Sequence, residues 1–168
     1  REAALARDLM LHASMRTLSG IPMLYSGDEI GQLNDYSYRE DPAKAADSRY
    51  VHRGKFHWEA AAQRDREGTV QQRIFHGIAR LEEIRRSRNV FLNTAAVRTA
   101  ETYDPAVLCL VRELGDEKLV AVFNFSGQSR TAWIDEPGNY EDLLSGEQLE
   151  GKHVPMDPCG ARWMICSR

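Results

Sequence analysis

Asp28 and Glu29 are adjacent carboxylates just past a short apolar run, Ile21-Pro22-Met23-Leu24-Tyr25. Paired acids can divide general acid and base work, but neighbours at a strand end point in opposite directions and cannot both face one substrate. The expectation is that one acid packs against a neighbouring element and the other shapes the loop, with a place just behind a substrate as the alternative. Arg49 is the stronger candidate. Its guanidinium is a planar fork of donors that can hold a carboxylate and also hydrogen-bond a hydroxyl. The plain alternative is an exposed loop Arg. His52 and Arg53 follow closely enough to share a wall with it, although a lone loop His is more often structural.

Other chemistries find little support. His12, His57, His76 and His153 have no Cys or acid at ligand spacing, so no metal is expected. No phosphate-cradling loop, Ser-His-Asp arrangement or GxGxxG occurs, and no cofactor is expected. Trp58, Trp133 and Trp163 could stack on a ligand, but Trp133 and Trp163 lie on strand-like segments and are expected in a β core. The three cysteines, Cys109, Cys159 and Cys166, are odd in number and lack metal spacing. Reduced thiols in a cytoplasmic chain are the plain reading; a disulfide between two of them is the less favoured alternative, and secretion stays open.

These residues need elements to hold them. Residues 3–18 read as a helix with two apolar lines, Leu5 and Leu9, then Leu11, Met15 and Leu18. Gly20 suits the position just past its end. Residues 21–25, bounded by Gly20 and Gly27, read as a buried strand. From Asp28 to about Asp65 no period survives, and so long a connection with several aromatics suggests a functional loop over a solvated tether. Thr69-Val70-Gln71-Gln72 fits a capping box, and Val70, Ile74, Ile78 and Leu81 follow at helical spacing. Beyond Asn89 the period becomes two. Val107–Val111 and Leu119–Phe123 flank Gly115-Asp116, a hairpin signal. Residues 131–134 and 162–165 are further strands, with 140–144 and 153–156 weaker ones, at the spacing of a β-sandwich.

The chain has 168 residues, 42% hydrophobic and 28% charged, a globular composition. Twenty-two basic against 25 acidic residues give a net charge of −3, which leaves no footprint for nucleic acid. No apolar run approaches the roughly 20 residues that span a bilayer, so no membrane partner is expected. The chain opens at Arg1 in mid-helix without a recognisable cap, which reads as a cut end.

The run Gly20-Ile21-Pro22-Met23-Leu24-Tyr25-Ser26-Gly27-Asp28-Glu29 resembles the last barrel strand of the α-amylase family of glycoside hydrolases. Gly31-Gln32-Leu33-Asn34-Asp35-Tyr36 and Asp47-Ser48-Arg49-Tyr50-Val51-His52-Arg53 look like the amylosucrases within it, and Asn124-Phe125-Ser126 follows in the family's order. Gly54 departs, since amylosucrases usually carry Pro after the His-Arg pair.

The resemblance implies an α+β fragment: the last helix-strand-helix portion of a (β/α)₈ barrel, residues 1–90, then an antiparallel β-sandwich called domain C, residues 91–168. The first part would comprise helix 7, strand 8, the long eighth loop and helix 8, far short of the about 250 residues of a whole barrel. The catalytic carboxylates would lie on earlier strands, leaving no catalytic residue here. Arg49 would bind substrate by closing the glucosyl pocket against an Asp from early in the whole enzyme. Asp28, Glu29, His52 and Arg53 would stand behind it. Sucrose and α-glucan would be the intact enzyme's partners, with association through the exposed barrel remnant also expected. A carbohydrate-binding or purely structural β module is the alternative.

Overall fold

The computed structural model describes residues 1–167 of an α+β chain with an antiparallel sheet. The chain forms two compact units, one of residues 1–22 with 77 onward and the other Met23–His76.

The larger unit is built on one sheet of six strands. In chain order the strands are β1 Ala96–Ala100, β2 Val107–Leu114, β3 Glu117–Asn124, β4 Arg130–Trp133, β5 Asn139–Asp142, β6 Gln148–Glu150, β7 His153–Met156 and β8 Ala161–Ser167. The sheet order is β1-β2-β3-β8-β5-β6, and β4 pairs with β7 in a separate two-stranded ribbon. β2 and β3 meet through Gly115-Asp116, with Leu114 opposite Glu117. Gly115 supplies the positive φ of +62° that so tight a turn requires.

Strict alternation along the central strands sorts two cores. Leu108, Leu110, Leu119, Ala121, Phe123, Trp163 and Ile165 face one way and pack with Met10, Ala13, Leu81 and Ile84 of the helices. Val107, Cys109, Val111, Val120, Val122 and Met164 face the other way and meet Ala132, Ile134, Val154 and Met156 of the ribbon. The sheet is therefore covered by helices on one face and by the ribbon on the other, so only the ribbon side is packed β on β. Its β-branched and aromatic side chains suit a pleated surface buried on both sides.

Helix α1 spans Glu2–Thr17. Its buried stripe is Leu5, Met10, Ala13, Arg16 and Thr17, not the two expected leucine lines, and Leu11 and Leu18 are exposed. Arg16 can join a buried stripe because Glu82 receives its Nε–H at 2.6 Å. Close approach between the helices is recorded at Gly77, where a Cβ would stand 2.5 Å from a Leu9 methyl.

Helix α3, Val70–Ser87, begins as its sequence requires, with the Gln72 N–H donating to Thr69 Oγ1 at 3.1 Å. Ile74, Ile78, Leu81 and Ile84 form its buried line.

Two further expectations need correction. Residues 21–25 join no ladder among the described residues, and Ile21, Met23, Leu24 and Tyr25 are exposed. An extended segment becomes a strand only beside a partner, and none of the described residues pairs with this one. Trp133 lies outside the β core and is 57% exposed, whereas Trp163 is wholly buried against Phe91, their ring centres 4.9 Å apart. The reason is phase: Ala132 and Ile134 face inward, so Trp133 between them faces outward. Two strands, β1 and β6, carry too weak a pattern to be expected. No disulfide joins the three cysteines, and burial, then the Glu136 carboxylate, push Cys109 up to about 12.

Candidate functional site

The site expected from sequence falls in the unit Met23–His76. It holds little regular structure: short 3-10 turns at Asp28–Ile30, Ser37–Glu40 and Ser48–His52, and a single helical turn α2 at Trp58–Ala61. Side chains and scattered backbone bonds organise it instead. Gln32 is the brace. Its Nε2 donates to the Lys55 carbonyl at 3.2 Å, and its Oε1 accepts the His57 N–H at 3.1 Å. The Asp35 N–H donates to the Val51 carbonyl at 2.9 Å, joining the start of the loop to its return. Ile30 and Tyr38 are the buried anchors.

The turn after Tyr25 consumes both candidate acids. Glu29 Oε2 accepts the Gly27 N–H at 2.7 Å, and Asp28 Oδ2 accepts the Tyr25 N–H at 3.3 Å. Gly27 and Gly31 take φ of +105° and +64°, conformations that let the chain double back. The carboxylates shape the loop and do not form a facing pair.

Beside this turn lies a cavity of about 40 Å³, lined among others by Tyr25, Asp28, Gln32, Asn34, Val51 and His52. That volume suits a water or a single hydroxyl. Of the expected site residues, Asp28 and His52 reach this cavity. Arg53 is stacked over the Tyr50 ring, 5.8 Å from its centre. Tyr25, Gln32 and Asn34 were missed as lining residues, although all three sit inside the motif that carries the family resemblance.

Arg49 is held elsewhere in the loop. Its Nε–H and Nη2–H donate to the two oxygens of Asp47, each at 2.8 Å, and its backbone N–H donates to Asp47 Oδ1 at 3.0 Å. Asp47 thus caps the turn that presents Arg49 and clasps its fork. The Arg49 side-chain bonds, then its backbone N–H, hold the Asp47 carboxyl down at about 2. Arg49 remains 73% exposed, so the outer N–H groups of its fork stay reachable. Among the described residues no group of three His, Cys, Asp or Glu side chains is placed to hold a metal ion. No helix among them is long and apolar enough to cross a membrane.

This geometry has relatives. Glucosylglycerate phosphorylase of Escherichia coli (strain K12) is 27% identical over 165 residues, covering 97% of this chain and 29% of that protein. Trehalose-6-phosphate hydrolase of Bacillus licheniformis matches with a TM-score of 0.73 at 18% identity, over 97% of this chain and 39% of its own. AmyP, solved with maltose, matches with a TM-score of 0.69 at 17% identity, over 96% of this chain and 34% of its own. Trehalulose synthase matches at 0.70 and 14% identity, over 96% of this chain and 38% of its own. No family model matches the chain. The structural likenesses establish the fold, and the sequence relative and the strand motif agree with the resemblance to the α-amylase family of glycoside hydrolases. The chain spans under a third of the curated relative it matches.

Proposed function

We propose that this chain is the C-terminal part of an amylosucrase-like retaining glucosyltransferase or hydrolase, cytoplasmic, acting on sucrose and α-glucans. Residues 1–90 supply the end of the catalytic barrel, and residues 91–168 the β domain that follows it. The observation that carries the reading is the segment Ile21–Tyr25: extended, unpaired and apolar, it leads straight into the Gly27–Glu29 turn. A barrel strand separated from its neighbours has these properties. The coverage of the relatives supports the same reading.

In the intact enzyme the two working carboxylates come from sequence outside this chain. One attacks the anomeric carbon of sucrose while the other protonates the departing fructose; in this mechanism they stand about 5–5.5 Å apart. The second then deprotonates an acceptor hydroxyl or water, which displaces the enzyme carboxylate. Arg49 closes the pocket. Its outer N–H groups reach an Asp from early in the whole protein and limit the site to one terminal glucosyl unit, while Asp47 aims the fork. Asp28 and Glu29 act through the turn they hold, with His52 and Arg53 beside it.

Turnover of sucrose by the whole enzyme tests this. Arg49→Ala should lower kcat/KM about a hundredfold, because a loosened pocket misplaces the reacting sugar. Arg49→Lys should fail as well, since an ammonium cannot form the fork. Near-normal kinetics in the Lys variant would leave Arg49 an ordinary loop charge. The chain alone should release neither glucose nor fructose from sucrose.

A further inference from the structure

We propose that Tyr103 and Trp133 form a second, non-catalytic binding site for the pyranose rings of an α-glucan, on the face of the larger unit that carries the β4–β7 ribbon. Both line one open pocket of about 350 Å³ with Ile134, Asp135, Lys152 and His153. Tyr103 is 76% exposed and Trp133 57% exposed, while Ile134 is buried beneath them. Two large aromatics facing solvent in one open pocket, beside a buried aliphatic residue, form a contiguous apolar surface of the kind that marks ligand-binding grooves.

The pair is held rigid. Trp133 stands directly opposite His153 in the ribbon, and the imidazole packs on the indole with ring centres 3.9 Å apart at 61°. The Ile134 N–H donates to the Lys152 carbonyl at 3.1 Å, which fixes the ribbon end below. Tyr103 sits at the tip of a turn braced by the Thr102 hydroxyl, which donates to the Val107 carbonyl at 2.8 Å. Its own backbone is left-handed, with φ +55°. A non-glycine residue in that region is strained, and such strain persists where the surroundings over-determine it, often at ligand clamps.

The chemistry selects the ligand. A pyranose ring offers an apolar C–H face to an aromatic ring and hydroxyls around its rim. Asp135 can accept from those hydroxyls and Lys152 can donate to them. Aromatic anchors of this kind lose little side-chain entropy on binding. The α-glucan as ligand rests on the proposed function; the site itself rests on the aromatic pair. It lies in residues that Arg49 substitution leaves untouched, so the two readings fail separately.

Titration of the chain with maltoheptaose, followed by indole fluorescence and by calorimetry, tests it. Saturable binding is expected, and Trp133→Ala should weaken it at least about tenfold, as truncating an aromatic hot spot does. Tyr103→Gly should weaken binding while leaving the thermal midpoint unchanged or raised, because glycine accepts φ +55° without strain. Trp133→Phe should retain part of the affinity. Absence of saturable binding, binding indifferent to both substitutions, or preference for cellohexaose over maltoheptaose would each overturn the proposal. The first two outcomes would make the pair a packing surface for another protein segment.

Discussion

The indole N–H of Trp163 donates to the Thr17 hydroxyl at 2.9 Å, joining β8 to the last turn of α1 across 146 residues of sequence. The hydroxyl in turn donates to the Ala13 carbonyl at 2.9 Å, so both of its roles are filled. Arg112 completes the junction. It is wholly buried and gives its guanidinium to three backbone carbonyls: Thr17 and Val90 at 2.8 Å and Leu92 at 2.7 Å. Burial, then the Arg85 charge, lower its pKa.

Thr17→Val keeps the shape of the side chain but leaves the indole N–H without an acceptor. The expected loss is about 1–3 kcal/mol of unfolding free energy, read from urea denaturation. Thr17→Ser should recover most of it. If Val and Ser behave alike, the hydrogen bond carries no weight.

The Asp47–Arg49 clasp predicts a pH response. The folded pKa of Asp47 lies at about 2, below its ordinary 3.8, so the unfolded chain takes up the proton first. Its contribution is therefore complete above about pH 4 and is lost as the pH falls toward 2. In an exposed loop the effect is local order, and salt should weaken it. Carboxyl chemical shifts of Asp47 would report the low value, and Arg49→Ala should return it toward the ordinary one.

Glu136 is buried and receives Arg98 and Lys118, each at 2.6 Å. Burial pushes its pKa up, but bonds from Arg98 and then Lys118 outweigh it and leave the net shift downward. Glu136→Ala should cost about 3 kcal/mol or more, since largely buried Lys118 would lose the carboxylate that pairs with it at 2.6 Å. Gly151→Ala attacks the same corner from the backbone, because a Cβ would lie 1.8 Å from the Glu136 carbonyl oxygen. No rotamer relieves that clash, and thermal melting should show a loss at the upper end of overpacking, ~3 kcal/mol.

Self-association should run through residues 18–25. Leu18, Ile21, Met23, Leu24 and Tyr25 are all exposed, and the backbone of 21–25 has no strand partner. Unpaired extended backbone with apolar side chains recruits other strands. Light scattering should find species larger than one chain, and Ile21→Lys with Met23→Lys should return the monomer. A monomer before substitution would show that exposure alone is too weak to drive pairing.

Much of the fold is written in local pattern. The hairpin at Gly115-Asp116, the two-sided burial of β2 and β3, and the Thr69 cap each follow from a few neighbouring residues. What escaped depends on partners far away in sequence. β1 reads as nothing because its first four residues are exposed, and as an edge strand it is held by pairing with β2. Arg112 occupies an inward phase that a sequence pattern reserves for apolar residues, and only the converging carbonyls of Thr17, Val90 and Leu92 explain it. Trp133 was legible after all, since the alternation with Ala132 and Ile134 gave its direction and its size distracted from that. At the site, Tyr25, Gln32 and Asn34 of the motif line the small cavity beside the Gly27–Glu29 turn. The clasp of Arg49 by Asp47 turns on a loop conformation that no period encodes.

The position of β8 constrains how this protein can be made. It comes after the seven other described strands, yet it lies between β3 and β5 in the middle of the sheet and holds Trp163 against Thr17. A ribosome delivers α1 ahead of the sheet, and this helix must then wait through 146 residues for its indole partner. Until residues 161–167 emerge, β3 and β5 each have an open side and Met10 and Ala13 lack part of their cover. Vectorial synthesis therefore leaves a nascent chain with a waiting slot at its centre, the state in which a chaperone is most needed. A stop codon placed ahead of Ala161 would leave β3 and β5 unjoined and prevent the larger unit from closing.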